Sequence, residues 1–176
     1  MDYFQFYNIP LSFKPDQTLV KKKFYELSKT YHPDFYISES EEKQQEVLEK
    51  STLNNKAYQT LSNPAKLIPY ILELKGVLVD GEKYNLPQSF LMEMMEVNEA
   101  LMELEFDADE ASVNKATADV EELEQALENE LNIAISAFDQ ASEDNQDNIL
   151  DSIKDIYYRK KYLLRIRESI NKFATR

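Results

Sequence analysis

Residues 16–34 read DQTLVKKKFYELSKTYHPD. Val20, Phe24, Leu27 and Tyr31 recur at steps of four, three and four, one apolar stripe with the period of an α-helix. Lys22, Glu26 and Lys29 fall on the opposite side, with Lys21 and Tyr25 on a flank. Asp16 or Thr18 supplies an N-cap. Pro33 stops the helix, because the residue before a proline avoids the α region. His32, the one histidine of the chain, therefore sits at the C-terminal end of a basic helix and opens a loop with Pro33 and Asp34.

Working outward, ESEEKQQEVLEKSTLNNKAYQTL (39–61) predicts a second helix with Val47, Ser51, Asn54, Tyr58 and Leu61 on one face, widened by Leu48. SNPAK punctuates, and AKLIPYILELKG (65–76) predicts a short helix ended by Gly76, with Pro69 in its first turns or kinking it. The two longer helices are expected to form an antiparallel hairpin with His-Pro-Asp at its tip. GVLVDGEKYNLPQ (76–88) shows no helical period and is expected as a linker over 76–86. Beyond it lie SFLMEMMEVNEALMELEF (89–106), EASVNKATADVEELEQALENELNIAISAFDQA (110–141) and DNILDSIKDIYYRKKYLLRIRESINKF (147–173). These predict three long helices with short connections, hence an antiparallel bundle over 87–176. The fold class expected is all-α, a helical hairpin in 1–75 followed by a three-helix bundle.

Composition agrees with helices and narrows the chemistry. The 176 residues hold two glycines and no cysteine, which removes disulfides, thiolate nucleophiles and cysteine-held metal centres. No apolar run approaches the roughly 20 residues that span a bilayer, so no membrane partner is expected. No signal or transit pattern is visible at the N-terminus, and a cytoplasmic setting is expected. The net charge is −13, which argues against nucleic acid as the main partner. The charge is uneven: residues 1–75 balance ten Lys against ten acids, 76–150 carry two Lys and twenty acids, and 151–176 carry eight cations and three acids. A chain of two units meeting near residue 76 follows. The basic end, YYRKKYLLRIR, is read as cations that offset a helix dipole and acidic neighbours rather than as an RNA site. FDADEASVNKATADVE lacks the glycine and the glutamate of a calcium loop, and no metal or other cofactor is expected. His32 has no identifiable nucleophile or orienting partner, so no catalytic residue is assigned.

The tripeptide in its setting resembles a J domain, the module with which co-chaperones activate heat-shock-type ATPase chaperones. DYFQFYNIP, KKKFYELSKTYHPDF and LNNKAYQTLSNP carry the resemblance, which covers residues 1 to about 75. It implies that His32, Pro33 and Asp34 contact the chaperone, alongside the lysines Lys21, Lys22 and Lys29. Pro33 fixes the loop so that little ordering entropy is lost on docking. Phe35 departs from the lysine common in general J domains at that place.

On the wheel of 89–106, Phe90, Met94, Val97, Leu101 and Leu104 form a core stripe. Leu91, Met95 and Met102 lie about 100° to 140° away at 100° per residue, an extra flank that reads equally as a broad core or as a binding surface. SFLMEMMEVNEAL is similar to the first bundle helix of the HscB-type (Jac-type) co-chaperones of iron–sulfur cluster biogenesis. The resemblance implies that Leu91, Met92, Met95, Glu96 and Glu99 bind an iron–sulfur scaffold protein (IscU-like). KYLLRIRESI points to Tyr162 as a further contact; a shift by four residues puts Tyr158 there. The implied partners are that scaffold and an ATPase chaperone, HscA-like or general. The implied role is to deliver the scaffold and stimulate ATP hydrolysis, with no enzymatic chemistry in this chain. The alternative is a J-domain co-chaperone whose acidic bundle takes a different, basic client.

Overall fold

The computed structural model describes residues 1–174, apart from the side chains of 143 and 144; residues 175 and 176 of the expected bundle lie outside the described residues. Among the described residues the regular structure is helical throughout, with no strand. The chain divides into two compact units, Met1–Gly76 and Val77 onward.

The first unit opens with α1 (Tyr3–Tyr7), whose N-cap Asp2 makes a capping box with Gln5. Helix α2 (Gln17–Thr30) starts at Asp16, whose Oδ1 accepts from the Thr18 and Leu19 amides at 2.8 and 3.3 Å. Val20 is buried and Phe24, Leu27 and Tyr31 are half-buried, so the expected stripe faces inward. A 3-10 turn (Pro33–Tyr36) leads to α3 (Glu41–Leu61), capped by Ser40. Val47, Asn54, Ala57 and Leu61 are its buried residues. Leu48 is exposed instead of widening that face. It lies about 130° from the middle of the buried arc, beyond the reach of one hydrophobic side. Helix α4 (Pro64–Leu74) contributes Leu67, Ile68, Ile71 and Leu72 to the core and contains Pro69 at its sixth residue. Tyr70 stacks on Tyr3 at 4.6 Å and its hydroxyl accepts from the Tyr3 amide, which ties α4 to α1.

In the second unit, α5 (Gln88–Phe106), α6 (Glu110–Gln140) and α7 (Glu143–Ala174) form the three-helix bundle. Ion pairs Arg159–Glu130, Lys160–Glu128 and Arg167–Glu124 show α6 and α7 running antiparallel, since one residue number rises as the other falls. Phe90, Met94, Leu104, Val120, Leu127, Leu163 and Ile166 are buried together, with Val97 and Leu101 packed against them. The core stripe of α5 is complete with those residues.

The segment Val77–Leu86 is a strap on α7. Lys154 Nζ donates to the Val77 carbonyl and to Glu82 Oε2, both at 2.9 Å. The Tyr84 hydroxyl donates to Asp155 at 2.7 Å, and the Tyr84 and Tyr158 rings stack at 4.4 Å, nearly parallel. Leu78 is buried. Gly76 and Gly81, with φ of 71° and 73°, allow the left-handed turns that this path needs.

Candidate functional site

Two surfaces carry the residues singled out above, one in each unit. In the first, α2 ends where the Tyr31 amide donates to the Leu27 carbonyl at 2.8 Å. His32 then caps the 3-10 turn: its Nδ1 accepts from the Asp34 amide at 3.3 Å. That bond leaves Nε2 as the protonated nitrogen of the neutral ring. The Tyr36 hydroxyl donates to the Thr30 carbonyl at 2.8 Å and ties the turn back to α2. Gln44 Nε2 donates to the carbonyls of Ile37 and Glu39 and ties the exit to α3. The loop is thus anchored at both ends by main-chain acceptors while His32, Pro33 and Asp34 stay exposed. Phe35 packs its ring 5.3 Å from the imidazole and is itself exposed.

Lys21, Lys22 and Lys29 are exposed along α2. Among the described ion pairs only Lys23 of that helix engages an acid, Glu26. The three lysines keep their charge available to a partner. Beneath them lies a residue whose polar role periodicity did not reveal. Asn54, buried on α3, donates to the Phe24 carbonyl at 3.1 Å and to Ser28 Oγ at 3.0 Å, and its Oδ1 accepts from Tyr7 at 2.9 Å. One amide therefore links α1, α2 and α3, and it meets α2 at Ser28, four residues before His32. Burial pushes the Tyr7 phenol well above its ordinary range.

In the second unit, the α5 flank faces solvent. Leu91, Met92 and Met95 are 42%, 63% and 59% exposed, and Glu96 and Glu99 beside them are exposed too. The broad-core alternative is therefore set aside for these side chains. Methionine there is flexible and polarizable, the type of side chain used on binding surfaces.

The two tyrosines of α7 differ in their partners. Tyr158 stacks on Tyr84 and donates to Glu82 at 3.1 Å, so it belongs to the strap. Burial first, and then the Glu82 carboxylate, push its phenol up to about 12. Tyr162 meets α5: its ring stands edge-on to Phe90 at 5.6 Å, and its hydroxyl accepts from Asn98 Nδ2 at 2.9 Å. Asn98 lies on the Leu91–Met95 side of α5, at the i+7 and i+3 places of that row. With its oxygen accepting, the Tyr162 hydroxyl has its own proton left for an acceptor on a partner. Arg165 lies over the outer side of that ring, 5.7 Å from its centroid. Asn98 and Arg165 are members of this surface that the sequence reading did not include.

The basic end of α7 is spent largely on α6: Arg159, Lys160 and Arg167 pair with Glu130, Glu128 and Glu124. Among the described residues no cluster of His, Cys, Asp and Glu is arranged to hold a metal ion, and no helix is long and apolar enough to cross a membrane.

Comparison with known proteins places this geometry. A family model described as the HSCB C-terminal oligomerisation domain matches residues 86–171. A mouse protein named iron–sulfur cluster co-chaperone protein HscB is 30% identical over 170 residues, which is 96% of this chain and 67% of the mouse protein. A co-chaperone protein HscB homolog of Colwellia psychrerythraea is 38% identical over 110 residues, 62% of this chain; the match spans 63% of that relative's length. Among solved structures, human co-chaperone protein HscB superposes with a TM-score of 0.73 at 28% identity, over 97% of this chain and 81% of the human one. Chaperone HscB from Vibrio cholerae superposes at 0.61 and 27% identity, over 96% and 98%.

Proposed function

Because this chain belongs to the HscB co-chaperone family, we propose that it serves iron–sulfur cluster biogenesis by joining two partners, a cluster scaffold protein and an ATPase chaperone. In this reading residues 1–75 act as the J domain, 76–86 as the connection, and 87–176 as the scaffold-binding bundle. Leu91, Met92, Met95, Glu96, Glu99 and Tyr162 hold the scaffold. His32, Pro33 and Asp34 signal to the chaperone, and Lys21, Lys22 and Lys29 steer it into place. The chain performs no chemistry of its own. It brings the loaded scaffold to the chaperone and promotes the hydrolysis that tightens the chaperone on it, and the cluster then passes on. A cytoplasmic setting belongs to the same proposal.

The observation that carries the reading is the exposure of Leu91, Met92 and Met95 on a helix whose core stripe is already filled. Three large apolar side chains in water cost free energy unless a partner covers them, about 25 cal/mol per Å2 of apolar surface. On the chaperone side the physics is that of a preformed signal. The loop is fixed by Tyr36 and Gln44 before any partner arrives, so docking orders little, and the free lysines raise the encounter rate with an acidic surface.

Titration of the purified scaffold protein into the full chain and into a Leu91→Ala/Met95→Ala variant tests the reading. The variant is expected to lose at least about a hundredfold in affinity while melting like the parent, because both side chains are exposed. Parental affinity in the variant contradicts the assignment of this face. Wild-type binding that fades steeply with salt would instead favour charge-driven capture of a basic client.

A further inference from the structure

The exposed apolar row on α5 does not stop at the residues assigned above. Met102 is 62% exposed, and Phe106, at the last turn of the helix, is 90% exposed. At 100° per residue, Leu91, Met95, Met102 and Phe106 fall within an arc of about 60°, centred roughly 130° from the core stripe. They make one straight apolar strip about 22 Å long, against about 12 Å for Leu91–Glu99. Bundle packing does not account for Phe106: the helix ends there, with Asp107 in extended conformation.

The borders of the distal half are acidic. Glu99 and Glu103 lie along one edge and Glu105 along the other, all exposed. None of them takes part in the described ion pairs of this unit. A strip of this kind is complementary to an apolar segment flanked by Lys or Arg. A second copy of the chain is a poor fit, since strip against strip sets these glutamates against their own equivalents.

We propose that the scaffold contact runs the full length of α5, with Met102 and Phe106 as further binding residues. They take an apolar segment of the scaffold that is bordered by basic side chains. This rests on the reading of Leu91 and Met95 as the scaffold site and extends it by two helical turns. The apolar contacts set the affinity, and the exposed glutamates set the register of the partner.

The test is calorimetric titration of the full chain with the purified scaffold protein, comparing the parent, Met102→Ser/Phe106→Ser and Leu91→Ala/Met95→Ala. The distal variant is expected to bind about tenfold more weakly, with an unchanged melting curve and unchanged mass in sedimentation. If it binds like the parent while Leu91→Ala/Met95→Ala loses binding, the extension is wrong and the original site stands. If neither variant loses binding, the scaffold site on α5 falls and the extension with it. A distal variant that changes only the self-association of the chain overturns the proposal in favour of a homotypic contact.

Discussion

Asn54 concentrates in one side chain what holds the first unit together near the His-Pro-Asp turn. Its amide is buried and satisfied from two other helices, by Tyr7 of α1 and by Phe24 and Ser28 of α2. Removing it takes away the side-chain partner of the Tyr7 and Ser28 hydroxyls and the second donor of the Phe24 carbonyl, and leaves a void. Asn54→Ala is therefore expected to destabilise the unit by about 2 kcal/mol in urea unfolding. Tyr7→Phe, which strands only Asn54 Oδ1, is expected to cost about 1 kcal/mol. At this scale the sequence was partly legible. Periodicity put Asn54 on the inner face, and nothing in a periodic pattern distinguishes a hydrogen-bonded asparagine from a tolerated one. Tyr158 and Tyr162 were inseparable for a related reason. Four residues apart on one helix, they share a face, and only their distant partners, Tyr84 and Glu82 for one, Asn98 and Phe90 for the other, tell them apart.

Among the elements, the longer helices were legible because each writes its own stripe into a short window, whereas α1, five residues long, was too short to show a period. Pro33 marked the end of α2, and the period of α5 separated a main stripe from a flank but left open whether that flank was core or surface. The strap was not legible. Val77, Glu82 and Tyr84 find their partners on α7 more than 70 positions away, and the strap has no period of its own. Its bonds make it sensitive to pH. The Lys154 ammonium holds the Glu82 carboxyl below the usual carboxylate range. A depressed carboxylate contributes stability above its ordinary range and loses it as pH falls through the depressed value. The Tyr158 phenol, pushed up to about 12, contributes below the ordinary tyrosine range and loses its contribution as pH rises through about 12. Amide exchange in residues 77–86, taken as protection relative to the intrinsic rate at each pH, is thus expected to be strongly retarded through neutral pH and to lose that protection in acid. In Glu82→Gln it is expected to be faster at neutral pH already, without the acid step. An identical exchange profile in the variant would show that the strap is held by Tyr84 and Leu78 alone.

For the whole molecule, the two surfaces are built from different interactions, and salt separates them. The loop side offers free lysines, so association with the chaperone is expected to slow severalfold between about 50 and 300 mM salt. The α5 side relies on buried apolar area, so scaffold affinity is expected to change little over the same range. Stopped-flow association and calorimetry on the same preparations check both.

The central claim is that an exposed, prefixed His-Pro-Asp turn carries the signal while the α5 face carries the cargo. The direct measurement is the steady-state ATPase rate of the partner chaperone with scaffold present, comparing the full chain with His32→Gln and testing the same variant for scaffold binding. The account predicts that His32→Gln abolishes stimulation, folds normally because His32 is exposed and caps only a short turn, and binds the scaffold with parental affinity. A His32→Gln protein that stimulates the ATPase like the parent would contradict it.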